Sequence, residues 1–417
     1  MFRLLFIIIT ALTGVTAVAQ TQPVNPLLLD SLVNTYSKQH KFNGSVLVAQ
    51  KGTILLQKGY GYQDVAQKTT ADANSLYQYG SVTKQFTAVL IMYLQEKKKL
   101  SIHDKLSKYF PDLPFGDSVT IVQMLTHTSG IYNYTNDEAF MATEAVKPAA
   151  SSKILALIRN HHLEFTPGIK FSYSNSNYYL LGLIIQKASG QPYEKLMRQI
   201  ILAPVGMKTA GFDFAHNHSS HRTTGYNSIN DDHGDIASIV DSSASFAAGA
   251  LYGSVYDLYA WHQALQKNQL LTTADWKQVY TPVHDNYGFG WMISTLYGKP
   301  LVEHGGGIFG YTSMIKRFPQ DDVVVIVLSN SSSPKVQEIA TSLSALVFGQ
   351  PVNWPIEQVT IQLPEEKLTP LVGDYELNPG FTISVTIQNG QLKAKPTGQS
   401  MVNLLAENDT TFRVEVI

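Results

Sequence analysis

Apolar positions change their period several times along this chain, and the changes mark its elements. In residues 25–40, Leu28, Leu29, Leu32, Val33 and Tyr36 recur at a helical spacing, which predicts an amphipathic helix. Residues 45–49 and 53–57 are short runs of β-formers separated by Gln50-Lys51-Gly52, the pattern of a hairpin. Residues 81–100 differ: 86–94 are almost continuously apolar, so this helix is expected to be buried on all sides and to surface at its lysine-rich end. Residues 120–201 read as mainly helical, with helices over 179–187 and 193–202 and a further one over 255–266.

From residue 287 the pattern returns to strands. Segments 287–294, 301–304, 311–318 and 323–328 are candidate strands with short polar links, which favours antiparallel pairing, and 336–348 resumes a helical period. The order predicts an α+β fold: an antiparallel sheet flanked by the terminal helices, with a helical region inserted after the second strand. Residues 351–364 hold three prolines and are read as a linker. Beyond them, 382–386 and 392–395 flank Asn389-Gly390, a strong hairpin signal, and 411–417 is another strand. Residues 365–417 are therefore expected to form a small β module. The sequence leaves open whether its last strand is the natural one or the module is incomplete.

Composition narrows the function. Hydrophobic residues make up 44% and charged residues 15% of 417 residues, which suits a globular enzyme with a large core. The net charge of −1 and the lack of a basic stripe argue against nucleic acid and for a small-molecule or peptide partner. There are no cysteines, so disulfides, thiolate metal sites and a cysteine nucleophile are excluded. Arg3, the apolar stretch 4–18 and Ala17-Val18-Ala19 read as a secretory signal peptide over 1–19, followed by a main domain over 20–350. A periplasmic or secreted product with no stable membrane insertion after cleavage is expected.

Three short motifs carry candidate chemistry. Ser81 and Lys84 stand three residues apart at the start of the buried helix, hence on one face. A serine hydroxyl needs a base, and a lysine becomes one when desolvation lowers its pKa. Tyr173-Ser174-Asn175 lies on a loop before a helix; a tyrosine can shuttle a proton and an amide can orient both Lys84 and a substrate carbonyl. His304-Gly305-Gly306-Gly307 ends a candidate strand, where glycines admit a substrate backbone and free N–H groups can form an oxyanion hole. Each motif alone has a bland reading: an exposed helix start, a helix cap, a glycine-rich turn.

Together, in this order and at these separations, they resemble the penicillin-recognising serine hydrolases, which include class C β-lactamases, D-alanyl-D-alanine carboxypeptidases and related esterases. Gln123-Met124-Leu125-Thr126-His127-Thr128-Ser129-Gly130, residues 246–257 and Tyr287-Gly288-Phe289-Gly290-Trp291 extend the resemblance over roughly 42–349. It implies the β-lactamase/transpeptidase-like fold, no metal or cofactor, acylation of Ser81 with Lys84 as base, and proton transfer by Tyr173. Asn175, His304, Gly306 and Gly307 would bind substrate, with the N–H groups of Ser81 and Gly307 as the oxyanion hole. His304 stands where many relatives have lysine, and Gly305 offers no hydroxyl, so weaker recognition of a carboxylate is expected, with His304 only partly charged near neutral pH.

The expected substrate is a D-amino-acid peptide, an ester or a β-lactam. A peptidase or esterase is favoured over a dedicated β-lactamase; a catalytically quiet binder of cell-wall peptides is the rival. His216, His218 and His221 near Asp213 could imitate a metal cluster, but their neighbours Asn217, Ser219, Ser220 and Arg222 mark an exposed loop. His127 is read as structural.

Overall fold

The computed structural model describes residues 24–332, 335–355, 360–399 and 401–414. The signal peptide read over 1–19 lies outside them, as do part of the expected linker and the last three residues.

Helix α1 (Pro26–Lys38) starts at the Asn25 cap and presents Leu29, Leu32, Val33 and Tyr36 as one buried stripe. Strands β1 (Gly44–Gln50) and β2 (Thr53–Tyr60) follow as a hairpin. The buried helix α2 (Thr83–Glu96) is preceded by a tight turn over Gly80–Val82 rather than starting at Ser81. The inserted region supplies α3 (Asn175–Ser189), α4 (Ser242–Gly249) and α5 (Val255–Gln266). The chain then returns through β3 (Met292–Leu296), β4 (Lys299–Ile308), β5 (Tyr311–Phe318) and β6 (Val323–Ser329) to α6 (Val336–Val347).

The six strands form one sheet in the order β2-β1-β6-β5-β4-β3, antiparallel throughout. Strand alternation divides the core. Val46, Val48, Val325 and Val327 face α1 and α6, whereas Leu47, Ile326 and Leu328 join α2, α3 and α5 on the other face. Every one of these side chains is buried, each contributing about 1.5–3 kcal/mol. The site forms on the helical face, where the turn before α2 meets β4.

One expected strand is shorter than its pattern. Residues 287–291 form a turn, with Gly288 N–H donating to Trp291 O, and β3 begins only at Met292. Gly290 has φ +78°, and a Cβ there would stand 2.7 Å from the Lys84 carbonyl; the turn packs on α2, and Tyr287 makes only isolated bridges to His284 and Met292.

The C-terminal module is a five-stranded antiparallel sheet of β7 (Gly373–Asn378), β8 (Phe381–Gln388), β9 (Gln391–Pro396), β10 (Val402–Ala406) and β11 (Phe412–Val414) in sequence order. Asn389-Gly390 closes β8 on β9 with Gln388 opposite Gln391. Ile361, within the expected linker, bridges to Ala406. No helix of the described residues is long and apolar enough to cross a membrane.

Candidate active site

Gly80, at φ +55°, bends the chain into the turn that ends in α2 and leaves Ser81 half-buried at its mouth. One helical turn on, Lys84 is fully buried. Its Nζ stands 2.9 Å from Ser81 Oγ, 2.8 Å from Asn175 Oδ1 and 2.8 Å from the Ala248 carbonyl. No carboxylate pairs with it among the described residues, and burial lowers its pKa well below the ordinary lysine value. A neutral amine has two N–H groups and one lone pair. Asn175 Oδ1 and Ala248 O can only accept, so they take the two N–H groups and turn the lone pair on the Ser81 hydroxyl.

Both acceptors are fixed. Asn175 is the first residue of α3; its N–H donates to Asn133 Oδ1 at 2.9 Å and its Nδ2 to Thr135 Oγ1 at 3.0 Å, which fixes the amide orientation. Ala248 follows Phe246, whose φ of 39° and ψ of −132° interrupt α4. After this twist the Ala247 carbonyl accepts from Thr87 Oγ1 and the Ala248 carbonyl from Lys84, both on α2.

Tyr173 lies across the site, its hydroxyl hydrogen-bonded to Ser81 and its ring centroid 4.9 Å from Lys84 Nζ. Burial raises its pKa, which keeps the phenol protonated. Beneath it sits His127, with ring centroids 4.2 Å apart. The Ser174 N–H donates to His127 Nδ1 at 3.1 Å, so the proton is on Nε2, which is buried and unpartnered among rings. Burial and the neighbouring Lys84 and His304 hold this imidazole neutral, with its pKa well below the usual value. His127 was read as a loop histidine; the structure makes it the floor on which Tyr173 rests.

On β4, the two-residue turn after Ile308 closes on the Ile308–Tyr311 pair. Hydrogen-bonded and open pairs alternate in an antiparallel ladder, so Gly307, opposite Thr312, points its N–H and C=O away from β5. They face Gly80, where a Cβ would stand 2.9 Å from Gly307 N. The N–H groups of Ser81 and Gly307 thus flank one cavity mouth. At Gly306 a Cβ would stand 2.0 Å from the Tyr79 carbonyl, so this glycine permits the close approach of β4 to the turn before Ser81.

Of the residues read as substrate-binding, Asn175 and Gly307 line the cavity at Ser81, whereas Gly306 and His304 do not. His304 is 5% exposed. Nδ1 stands 2.6 Å from the Gly305 carbonyl and Nε2 2.9 Å from the Tyr287 hydroxyl. The carbonyl only accepts, so Nδ1 carries the proton and Tyr287 donates to Nε2. Burial first, and then Lys84, lower its pKa to about 4, so the ring is neutral at pH 7 rather than partly charged.

The cavity, of about 490 Å³, opens beside Ser81, Asn175 and Gly307. Its far walls come from residues 134–145 and 240–249, of which the sequence singled out only 246–249. At the histidine-rich loop, His216 Nδ1 meets Asp213 at 2.9 Å with both side chains largely exposed. Among the described residues no three ligating side chains converge for a metal.

A buried lysine facing a serine at a helix start, an amide from a second helix and a glycine strand edge define a serine hydrolase of the penicillin-binding-protein and β-lactamase type. The beta-lactamase family matches residues 29–347, and the chain belongs to it. Penicillin-binding protein 4* of Bacillus subtilis (strain 168) is 30% identical over 411 residues, covering 92% of this chain and 90% of that protein. Among solved structures, an octameric penicillin-binding protein homologue from Pyrococcus abyssi superposes with a TM-score of 0.70 at 28% identity, over 90% of each chain. D-amino acid amidase from Ochrobactrum anthropi SV3, complexed with D-phenylalanine, shares the fold with a TM-score of 0.62 at 21% identity, over 76% of this chain and 99% of that one.

Proposed function

We propose that this chain is an exported hydrolase that cleaves amide or ester bonds of D-amino-acid substrates through an acyl-enzyme on Ser81. The observation that carries the reading is the coordination of Lys84 Nζ, whose two carbonyl acceptors leave its lone pair for the Ser81 hydroxyl. In this reading Ser81 Oγ attacks the carbonyl carbon and passes its proton to Lys84. The oxyanion is held by the N–H groups of Ser81 and Gly307, with Asn175 and Gly306 shaping the binding edge. The bond to the leaving group then breaks, and the leaving group takes the electron pair and a proton delivered through Tyr173. Water attacks the ester, the acid departs, and Ser81 regains its proton.

The names of the relatives support a D-amino-acid or penicillin-type substrate. The neutral, inward-turned His304 offers no counter-charge to a free C-terminal carboxylate, which supports a leaving group that need not be charged. The export reading rests on residues 1–19.

Intact mass after incubation with a penicillin and, separately, with a D-amino-acid ester tests the chemistry. Wild type should gain an acyl adduct or consume the compound, and Ser81→Ala should do neither. Equal turnover by Ser81→Ala would overturn the reading.

A further inference from the structure

The cavity beside Ser81 is lined by Ser81, Asn175 and Gly307, and not by Tyr173, His304 or Tyr287. If Tyr173 delivers the leaving group's proton, the cavity lies on the opposite side of the reacting carbon, where the acyl group stays attached. This step rests on the acyl-enzyme reading given above.

The walls are apolar in more than composition. Tyr134, Phe140, Met141, Val240, Ala244 and Phe309 contribute to them, and none of the described lining residues carries a charge. The Tyr134 hydroxyl donates to the Ala244 carbonyl at 2.6 Å, so the cavity sees the ring and not the polar tip. Tyr311 is turned the same way, its hydroxyl donating to the Thr223 carbonyl at 2.8 Å. Three hydroxyls of the lining are also engaged. Thr135 donates to Asn133 Oδ1 at 3.0 Å, Thr312 to the Ser331 carbonyl at 3.0 Å and Ser245 to the Asp241 carbonyl at 3.2 Å. A polar or charged side chain entering here would lose water and gain no counter-charge, whereas an apolar one gains from burial.

We infer that this cavity is the acyl-side specificity subsite and that it selects a bulky, uncharged apolar side chain, aromatic or branched aliphatic. A volume of about 490 Å³ exceeds what a methyl group can fill, so a small acyl group leaves most of the wall unsatisfied. Met141, half-buried on the short helix Glu138–Thr143, is the wall residue best placed to tune the choice, because its side chain can be exchanged with little disturbance of the core.

The test uses p-nitrophenyl esters of acetic, 3-phenylpropionic and succinic acids, which share a leaving group and carry no stereocentre. With the full-length protein, kcat/KM for phenylpropionate should exceed that for acetate and for succinate by about 10- to 100-fold. Met141→Lys should lower the phenylpropionate-to-succinate ratio by at least about tenfold, since it places a cation at the wall. Hydrolysis of all three esters at similar rates, or a preference for succinate in wild type, would overturn the subsite while leaving Ser81 acylation standing. Failure of every ester to acylate Ser81 would instead remove the acyl-enzyme reading, and this inference with it. The wild-type series decides the matter even if the lysine variant does not fold.

Discussion

The Tyr287 hydroxyl donates to His304 Nε2 across 2.9 Å, and this contact fixes what the third motif of the site can do. With Nδ1 bound to the Gly305 carbonyl, both ring nitrogens are engaged inside the protein. The ring therefore offers a substrate neither a free donor nor a charge. Nitrogen NMR of the imidazole should report the neutral Nδ1–H tautomer from pH 5.5 to 8. Tyr287→Phe should cost about 1 kcal/mol and leave the tautomer in place, because Nδ1–H still donates to the Gly305 carbonyl. An imidazolium signal at pH 7 would contradict the assignment.

The same contact bears on substrate. Peptides ending in D-Ala-D-Ala and their C-terminal amides differ only by the charge that a cationic third motif would bind. The two should be turned over with kcat/KM values within about threefold of each other, since no charge at His304 separates them. A preference of about 100-fold for the free acid would require a cation that this site does not present.

Lys84 sets activity against stability. Its folded pKa is depressed, so at any pH between that value and the unfolded value of 10.5 the unfolded chain binds a proton that the folded one does not. Burying it neutral therefore destabilises the fold throughout that window, and more so as pH falls from 10.5. Lys84→Met should abolish turnover, by about a thousandfold or more, yet raise the unfolding temperature at pH 7. Activity of the wild type should rise as Lys84 loses its proton and hold a plateau well below pH 10.5. A lower unfolding temperature in the methionine variant would show that the contacts with Asn175 and Ala248 outweigh the desolvation.

Much of this was legible in the chain. The three-residue spacing of Ser81 and Lys84 before an apolar run is a local signal, as is the Asn389-Gly390 turn, and both sit where their patterns placed them. The acceptor that completes the Lys84 site was not legible, because a backbone carbonyl at Ala248 has no side-chain signature. The cavity walls were hidden for another reason. Phe140 and Met141 lie far in sequence from Val240, and each looks like an ordinary core residue. His304 was identified by position, but which way its ring turns depends on Tyr287, in a segment whose two glycines make a turn where its apolar residues suggested a strand.

Acid should weaken the fold through buried histidines. His127, His262 and His304 all have lowered pKa values, to about 2 for His262 and about 4 for His304, first by burial and then by neighbouring positive groups. Below the unfolded value of 6.5 the unfolded chain takes up protons that these rings refuse. Their contribution is thus fully present above pH 6.5 and is lost as pH falls toward the folded values. Each costs up to about 1.4 kcal/mol per pH unit in that window. Urea midpoints measured at pH 7.5, 6.0 and 5.0 should drop steadily. His262→Gln should shallow the decline below pH 6.5, and an unchanged slope would exclude this origin.

Phe246 is the place where the backbone is strained for a purpose. A φ of 39° with ψ of −132° is a conformation that side chains disfavour by about 1–3 kcal/mol, and glycine tolerates it. The ring supplies the compensation. It packs against Tyr179 and Tyr193, with centroids 5.3 and 4.9 Å away, and a Cβ at Gly182 would stand 2.5 Å from it. Removing the ring leaves the strain unopposed unless the new residue is glycine. Phe246→Gly should therefore be more stable than Phe246→Ala by about 1 kcal/mol or more, the reverse of the usual order in a helix. The alanine variant can relax toward helical angles, which would rotate the Ala247 and Ala248 carbonyls away from Thr87 and Lys84. Its kcat should fall further than that of the glycine variant, and the pH at which activity half-disappears should move in the alanine variant alone. Equal stability and equal pH profiles for the two would mean that the twist at Phe246 holds nothing at Lys84.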